Sequence, residues 1–120
     1  MSRFNGFNEG AFDYYPWNRL RRYVDEHYSD QISLVKAAHI SGLGTSSFCT
    51  FFHESIGINF TDWLRRVRIS KAIELMKTSD LSITEIAHEV GYAKMIIFER
   101  EFKNCTLATL KEFKKSLRPD

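Results

Sequence analysis
The sequence is poor in the residues that build crosslinked, metal-centred or tightly looped proteins. Two cysteines, Cys49 and Cys105, stand in 120 residues, with no CxxC pair and no histidines at zinc-ligand spacing. That argues against a disulfide or metal framework and suits a reducing compartment. Two prolines and six glycines leave room for long helices and speak against many tight hairpins. No apolar run approaches the roughly 18 residues that a membrane span needs. Residues 1–15 lack the uninterrupted apolar core of a signal peptide, so a cytoplasmic location is expected. Charge of one sign is also in short supply. Seventeen basic residues against 15 acidic ones leave a net charge of +2, which permits a nucleic-acid partner without demanding one. No nucleophile–base–acid arrangement, phosphate loop or metal cluster is visible, so no enzyme, cofactor, metal or small-molecule site is expected.

What is present is a folded protein's complement of apolar side chains, 43% of residues with 14% aromatic. That suffices for one compact domain or two very small lobes. Residues 1–15 mix aromatics with Asn and Gly, show no helical period, and read as a loose arm. Pro16 suits a first helical position, with Trp17, Leu20, Tyr23, Val24 and Tyr28 following at helical spacing and an end near His27. Ser33 is a helix N-cap, and Gly42 can close that helix in a left-handed turn. A short helix over 45–55 carries Phe48, Phe51 and Phe52 inward. After Gly57, Asn59 caps a long amphipathic stretch to about Met76, with Trp63, Leu64, Val67, Ala72 and Leu75 inward. Ser82 with Glu85, and Thr109 with Glu112, are capping boxes. The first opens a helix that Gly91 stops, and the second opens a last helix to about Leu117. Between them a helix over 94–105 is built around Phe98 and Phe102. No strand alternation is found, and the expected fold is all-α, of about seven helices.

An internal repeat organises these helices. SLVKAAHISGL (33–43) aligns with SITEIAHEVGY (82–92) at a constant offset, matching Ser33 to Ser82, Ala38 to Ala87, His39 to His88 and Gly42 to Gly91. One residue is added after the turn, and then Phe48 matches Phe98, Phe52 matches Phe102, Asn59 matches Thr109 and Trp63 matches Phe113. Each unit is a capped helix, a glycine turn and a second helix with buried aromatics. A small residue (Ala38, Ala87) lets the helices cross closely, and glycine takes the positive φ of the turn. That is the physical requirement of a helix-turn-helix, whose second helix enters a major groove. The expected organisation is a first helix-turn-helix over 16–57, a linker helix over 58–79 and a second helix-turn-helix over 80–120. The linker would form a rod of about 25 Å at about 1.5 Å per residue. Such a rod suits two reading helices one DNA turn, roughly 34 Å, apart.

The chain resembles the DNA-binding domain of the AraC/XylS family from about Leu20 to Lys114. The resemblance lies in Gly57 followed by FTDWLRRVRISKAIELM, with Trp63, Leu64, Arg68, Ile69, Ala72 and Leu75 at the family's linker-helix positions. It lies also in ITEIAHEVGY with Phe98, Arg100, Phe102 and Lys103. The resemblance implies a bacterial transcription regulator, an activator in many relatives, that binds double-stranded DNA through two recognition helices in successive major grooves and works with RNA polymerase. The family usually has a base-contacting Arg at Thr50, Lys at His53 and Glu54, Ser or Thr at Glu99, glycine at Leu107, proline at Leu110, and polar residues near Met95 and Ile96. This sequence departs at each. A monomer is expected, since one chain already holds two reading heads. Relatives often carry a sensor or dimerisation domain before this module, so the chain reads either as a short stand-alone regulator or as a piece of a longer one.

Candidate base contacts follow from the exposed faces of the two reading helices. In the first they are Ser46, Ser47, Cys49, Thr50 and His53, whose hydroxyls give modest selectivity. In the second they are Lys94, Met95, Ile96, Glu99 and Arg100. Arg100 can take guanine bidentately, Glu99 can accept from cytosine, and Met95 or Ile96 can meet thymine methyls. The bland readings are a solvated face for the first set, and core packing of Met95 and Ile97 plus an acid partner for Arg100 in the second. Phosphate candidates are Arg65, Arg66, Lys103, Lys111, Lys114 and Lys115. Arg68, at a family position, is a candidate bridge between the two halves. His39 and His88 occupy equivalent places and suit a shared packing or surface role. Between Asp80 and Thr106, Asp80, Glu85, Glu89, Glu99 and Glu101 outnumber Lys94, Arg100 and Lys103. That acidity, with the apolar Met95 and Ile96, motivates an alternative: a helix-turn-helix protein-interaction module with weakened DNA binding.

Overall fold
The computed structural model describes residues 16–117, so the expected N-terminal arm over 1–15 lies outside the described residues. Seven helices follow one another: α1 Pro16–His27, α2 Leu34–Ser41, α3 Thr45–Ile56, α4 Phe60–Thr78, α5 Ile83–Glu89, α6 Met95–Thr106 and α7 Leu110–Ser116. No strand occurs among the described residues. The chain divides into two compact units, one up to Trp63 and the other from Leu64, so the first turn of α4 belongs to the first unit.

In the first unit α1 packs on α2 and α2 on α3. Leu20 and Val24 of α1, Ala37 and Ala38 of α2, and Phe48 and Phe52 of α3 are buried. The alanines let the helices approach, as the sequence suggested. Ser33 Oγ accepts from the Lys36 amide at 3.0 Å, and the buried Ser41 hydroxyl donates back to the Ala37 carbonyl at 2.9 Å. Gly42 ends α2 at φ 76°, and a Cβ there would meet Arg19 Nη2 at 3.0 Å. An aromatic cluster closes the unit: Phe52 lies 5.5 Å from Trp63 and 5.6 Å from Phe60, and Trp17 lies 5.9 Å from Phe52. Burying each phenylalanine stabilises the fold by roughly 2–3 kcal/mol before entropy is counted.

The second unit repeats these devices. Ser82 and Glu85 form the capping box that opens α5, Ala87 is buried, and Gly91 turns the chain at φ 109°. Phe98 and Phe102 take the places of Phe48 and Phe52, and Phe102 meets Phe113 at 5.4 Å as Phe52 meets Trp63. Asn59 Oδ1 accepts from the Asp62 amide at 2.8 Å, and Thr109 Oγ1 from the Glu112 amide at 3.1 Å, so the matched pair caps equivalent helices.

One cap is mismatched. Gly57 closes α3 at φ 94°, and its counterpart Leu107, 86% exposed, closes α6 at φ 64°. A leucine there strains the backbone and buries nothing in return. Leu107→Gly is therefore expected to raise stability by about 1 kcal/mol, the relief of strain less the extra freedom of an unfolded glycine. Gly57→Ala, where a Cβ meets only open space, should lower stability by about 1 kcal/mol. Urea unfolding of both variants checks the pair, and a destabilised Leu107→Gly protein contradicts the strain argument.

Candidate nucleic-acid interface
The buried phenylalanines decide what α3 shows to solvent. With Phe48 and Phe52 turned inward, Ser46, Ser47, Cys49, Thr50 and His53 are all exposed. Cys49 is a free, exposed thiol. The helix face is short-chained, with Glu54 its one carboxylate. It can approach base edges closely and offer hydroxyls to several of them.

On α6 the same geometry sorts three consecutive apolar residues. Phe98 and Phe102 are buried, Met95 and Ile97 are half-buried, and Ile96 is 71% exposed. Lys94, at the N-cap position, is exposed, as are Glu99, Arg100 and Lys103. Ile96, Glu99, Arg100 and Lys103 line one groove with Thr109, Leu110 and Lys111 of the α7 end. Arg100, for which an acid partner was one reading, has no ion pair among the described residues. Lys111, Lys114 and Lys115 of α7 are exposed too.

Helix α4 divides its cations by task. Arg66 is exposed. Arg65, expected beside it as a phosphate contact, is instead half-buried, with Nε 3.2 Å from Glu101 Oε2. The other Glu101 oxygen accepts a 2.5 Å hydrogen bond from the Tyr92 hydroxyl. Burial first, and then the neighbouring carboxylate, push that hydroxyl well above the usual phenol range against the opposing Arg68 charge. It stays protonated and donates. The Arg68 guanidinium carbon stands 5.9 Å from the centre of the Tyr92 ring. Arg65, Arg68, Tyr92 and Glu101 thus form one polar knot within the second unit, tying α4 to α6 and to the residue after the Gly91 turn. Arg65, Arg68 and Glu101 stand out in the sequence as charged groups, but charges 36 positions apart carry no periodicity that would pair them, and nothing there marks Tyr92. His39 and His88, matched in the repeat, are both exposed. No group of metal-ligating residues occurs among the described residues, and no helix there is long and apolar enough to cross a membrane.

A family model described as a helix-turn-helix domain matches residues 37–116. The chain belongs to this AraC-type helix-turn-helix family. The arabinose operon regulatory protein of Escherichia coli (strain K12) is 31% identical over 101 residues, covering 81% of this chain and 35% of that protein. The regulatory protein PocR of Salmonella typhimurium is 31% identical over 96 residues, covering 80% and 32%. The chain therefore spans about a third of the length of these AraC-type relatives. Among solved structures, the C-terminal domain of AraT, a response regulator from Geobacillus stearothermophilus, is 27% identical with a TM-score of 0.76, covering 84% of each chain. The DNA-binding domain of AdpA, solved in complex with a target DNA, is 21% identical with a TM-score of 0.80, covering 87% of this chain and 94% of that one. That likeness establishes the AraC-type double helix-turn-helix fold.

The polar knot separates structural from surface arginines. Arg65→Ala is expected to cost up to about 1 kcal/mol of stability, as partly exposed ion pairs do. Glu101→Ala should cost about 1–3 kcal/mol, since it strands the buried Tyr92 hydroxyl as well. Arg66→Ala should stay within about 0.5 kcal/mol of the parent. Equal stability of all three variants in thermal unfolding would remove the distinction.

Proposed function
We propose that this chain is a sequence-specific double-stranded-DNA-binding module of a transcription regulator, and that α3 and α6 enter successive major grooves. The observation that carries this reading is the equivalence of the two heads. A serine-capped preceding helix, a positive-φ glycine turn and the same pair of inward phenylalanines position both α3 and α6, and each leaves one face uncovered. A repeat that conserved only a core would have no reason to keep both outer faces open. The relatives' names as regulators and the DNA in the AdpA complex support the same reading.

The division of labour follows from charge. Residues 16–57 form the first reading head, 58–79 the linker and 80–120 the second head. Ser46, Ser47, Cys49, Thr50 and His53 face bases in one groove, and Lys94, Ile96, Glu99 and Arg100 in the next. Met95, half-buried, lies at the edge of that face. Phosphate attraction comes from Arg66, Lys103, Lys111, Lys114 and Lys115, with Arg65 mainly engaged by Glu101. With two heads on one chain, the module binds as a monomer, in the cytoplasm, and acts on transcription together with RNA polymerase.

Selection from a pool of random duplexes at low and moderate salt tests the reading. The expected product is a bipartite motif with half-sites about one turn, roughly 34 Å, apart. Arg66→Ala and Lys111→Ala should each weaken binding to all sequences alike and reduce the slope of log affinity against log salt by about one. A well-folded protein that enriches no duplex at either salt would instead favour a protein-interaction module, the reading suggested by the exposed Ile96 and the acid at Glu99.

A further inference from the structure
We infer that Ile96 is the specificity-determining residue of the second head, and that it reads the 5-methyl group of a thymine. The inference rests on the DNA-binding reading above and adds what the second groove contains. Ile96 is 71% exposed on the first turn of α6, whereas its apolar neighbours Met95 and Ile97 are half-buried. It has been left outside the core although Phe98 and Phe102 complete that core beside it.

Its surroundings indicate what covers it. Arg100 and Lys103 follow at one and two turns on the same face and share a groove with Ile96 and with Lys111 from α7. An apolar side chain set among three cations is poorly matched to an apolar protein partner, which would have to desolvate those cations. It is well matched to the floor of a major groove, where the thymine methyl is an apolar group flanked on both sides by phosphates. Glu99, on the same face, disfavours close approach to phosphate and leaves the helix to be positioned by its cationic neighbours.

The repeat sharpens the assignment. Helix α6 repeats α3 fifty residues later, Thr45–Ile56 against Met95–Thr106. Ile96 stands where α3 has Ser46, and Arg100 where α3 has Thr50. The first head therefore meets these two places with hydroxyls, which accept several bases. The second meets them with a methyl-seeking group and a guanidinium, which are selective for thymine and guanine.

The test uses the whole chain and the duplex recovered by selection. Arg100→Ala, which relaxes base preference in one half-site, identifies the half read by α6. Each thymine there is then replaced singly by deoxyuridine, which lacks only the methyl. One position, or two adjacent ones, should bind about threefold to fivefold more weakly, the effect of losing one buried methyl group. Ile96→Ala, an exposed change to a better helix former, should fold like the parent and bind both duplexes within about 1.5-fold of each other. Indifference of the parent protein to deoxyuridine at every position overturns the inference while leaving DNA binding intact. Undiminished discrimination by Ile96→Ala overturns it too, because another group then reads the methyl. Loss of polymerase-dependent transcription with an unchanged thymine-to-deoxyuridine ratio would assign Ile96 to a protein partner. Absence of any salt-sensitive duplex binding would remove the inference together with the function it rests on.

Discussion
Everything on the outer surface of the two heads depends on which way four phenylalanines point. Phe48 and Phe52, and likewise Phe98 and Phe102, lie one turn apart and are fully buried. A pair at that spacing fixes the rotation of a helix about its own axis, since both rings must face the same interior. Once α3 is locked, Ser46, Cys49, Thr50 and His53 have nowhere to go but outward. Once α6 is locked, Ile96, Arg100 and Lys103 share its free face. The glycine turns before each helix set its direction, but the rings set its facing. A reading surface built this way needs no side-chain network of its own, which suits a surface that must stay uncovered until a partner arrives.

The same economy explains why one helix serves two units. The opening turn of α4 does for α3 what α7 does for α6: Asn59 and Thr109 cap equivalently, and Trp63 and Phe113 press on Phe52 and Phe102 at nearly equal distances. Further along α4, Ile69 and Arg68 stand forty-nine residues after Leu20 and Arg19 of α1. Ile69 is buried as Leu20 is, and both arginines reach the turn of their own unit. Arg19 approaches the Ser41 carbonyl ahead of Gly42, and Arg68 approaches the Tyr92 ring just past Gly91. Helix α4 thus ends one copy of the repeat and begins the next.

The fold was largely legible in the sequence because its signals are local. Capping Ser33, Ser82 and Thr109, the glycine turns and the spacing of the phenylalanines each act within a few residues. A constant offset between two copies then multiplies their weight. The candidate interface was legible only in part. In 95–97 three apolar residues run together, and a helical period alone does not say which is outermost. Packing did so, leaving Ile96 exposed and drawing Met95 and Ile97 partly in. The Arg65–Glu101–Tyr92 knot was not legible at all. Arg65 and Arg66 look alike along the chain, and only the position of α6 against α4 within the second unit distinguishes them.

Divergence between the copies carries a consequence for register. On the proposed function, two heads with identical faces would accept a site shifted by one half almost as well as the correct one. The shared scaffold presents Ser46 and Thr50 on one head and Ile96 and Arg100 on the other, so on that reading the two half-sites differ in chemistry and a shifted site mismatches the heads. Exposed lysines and Arg66 would add affinity without register, because every nucleotide carries the same charge. Register then has to come from the unlike faces. The repeated core can stay nearly fixed while register is encoded in a few exposed positions, and the Ser46/Ile96 and Thr50/Arg100 pairs are such positions.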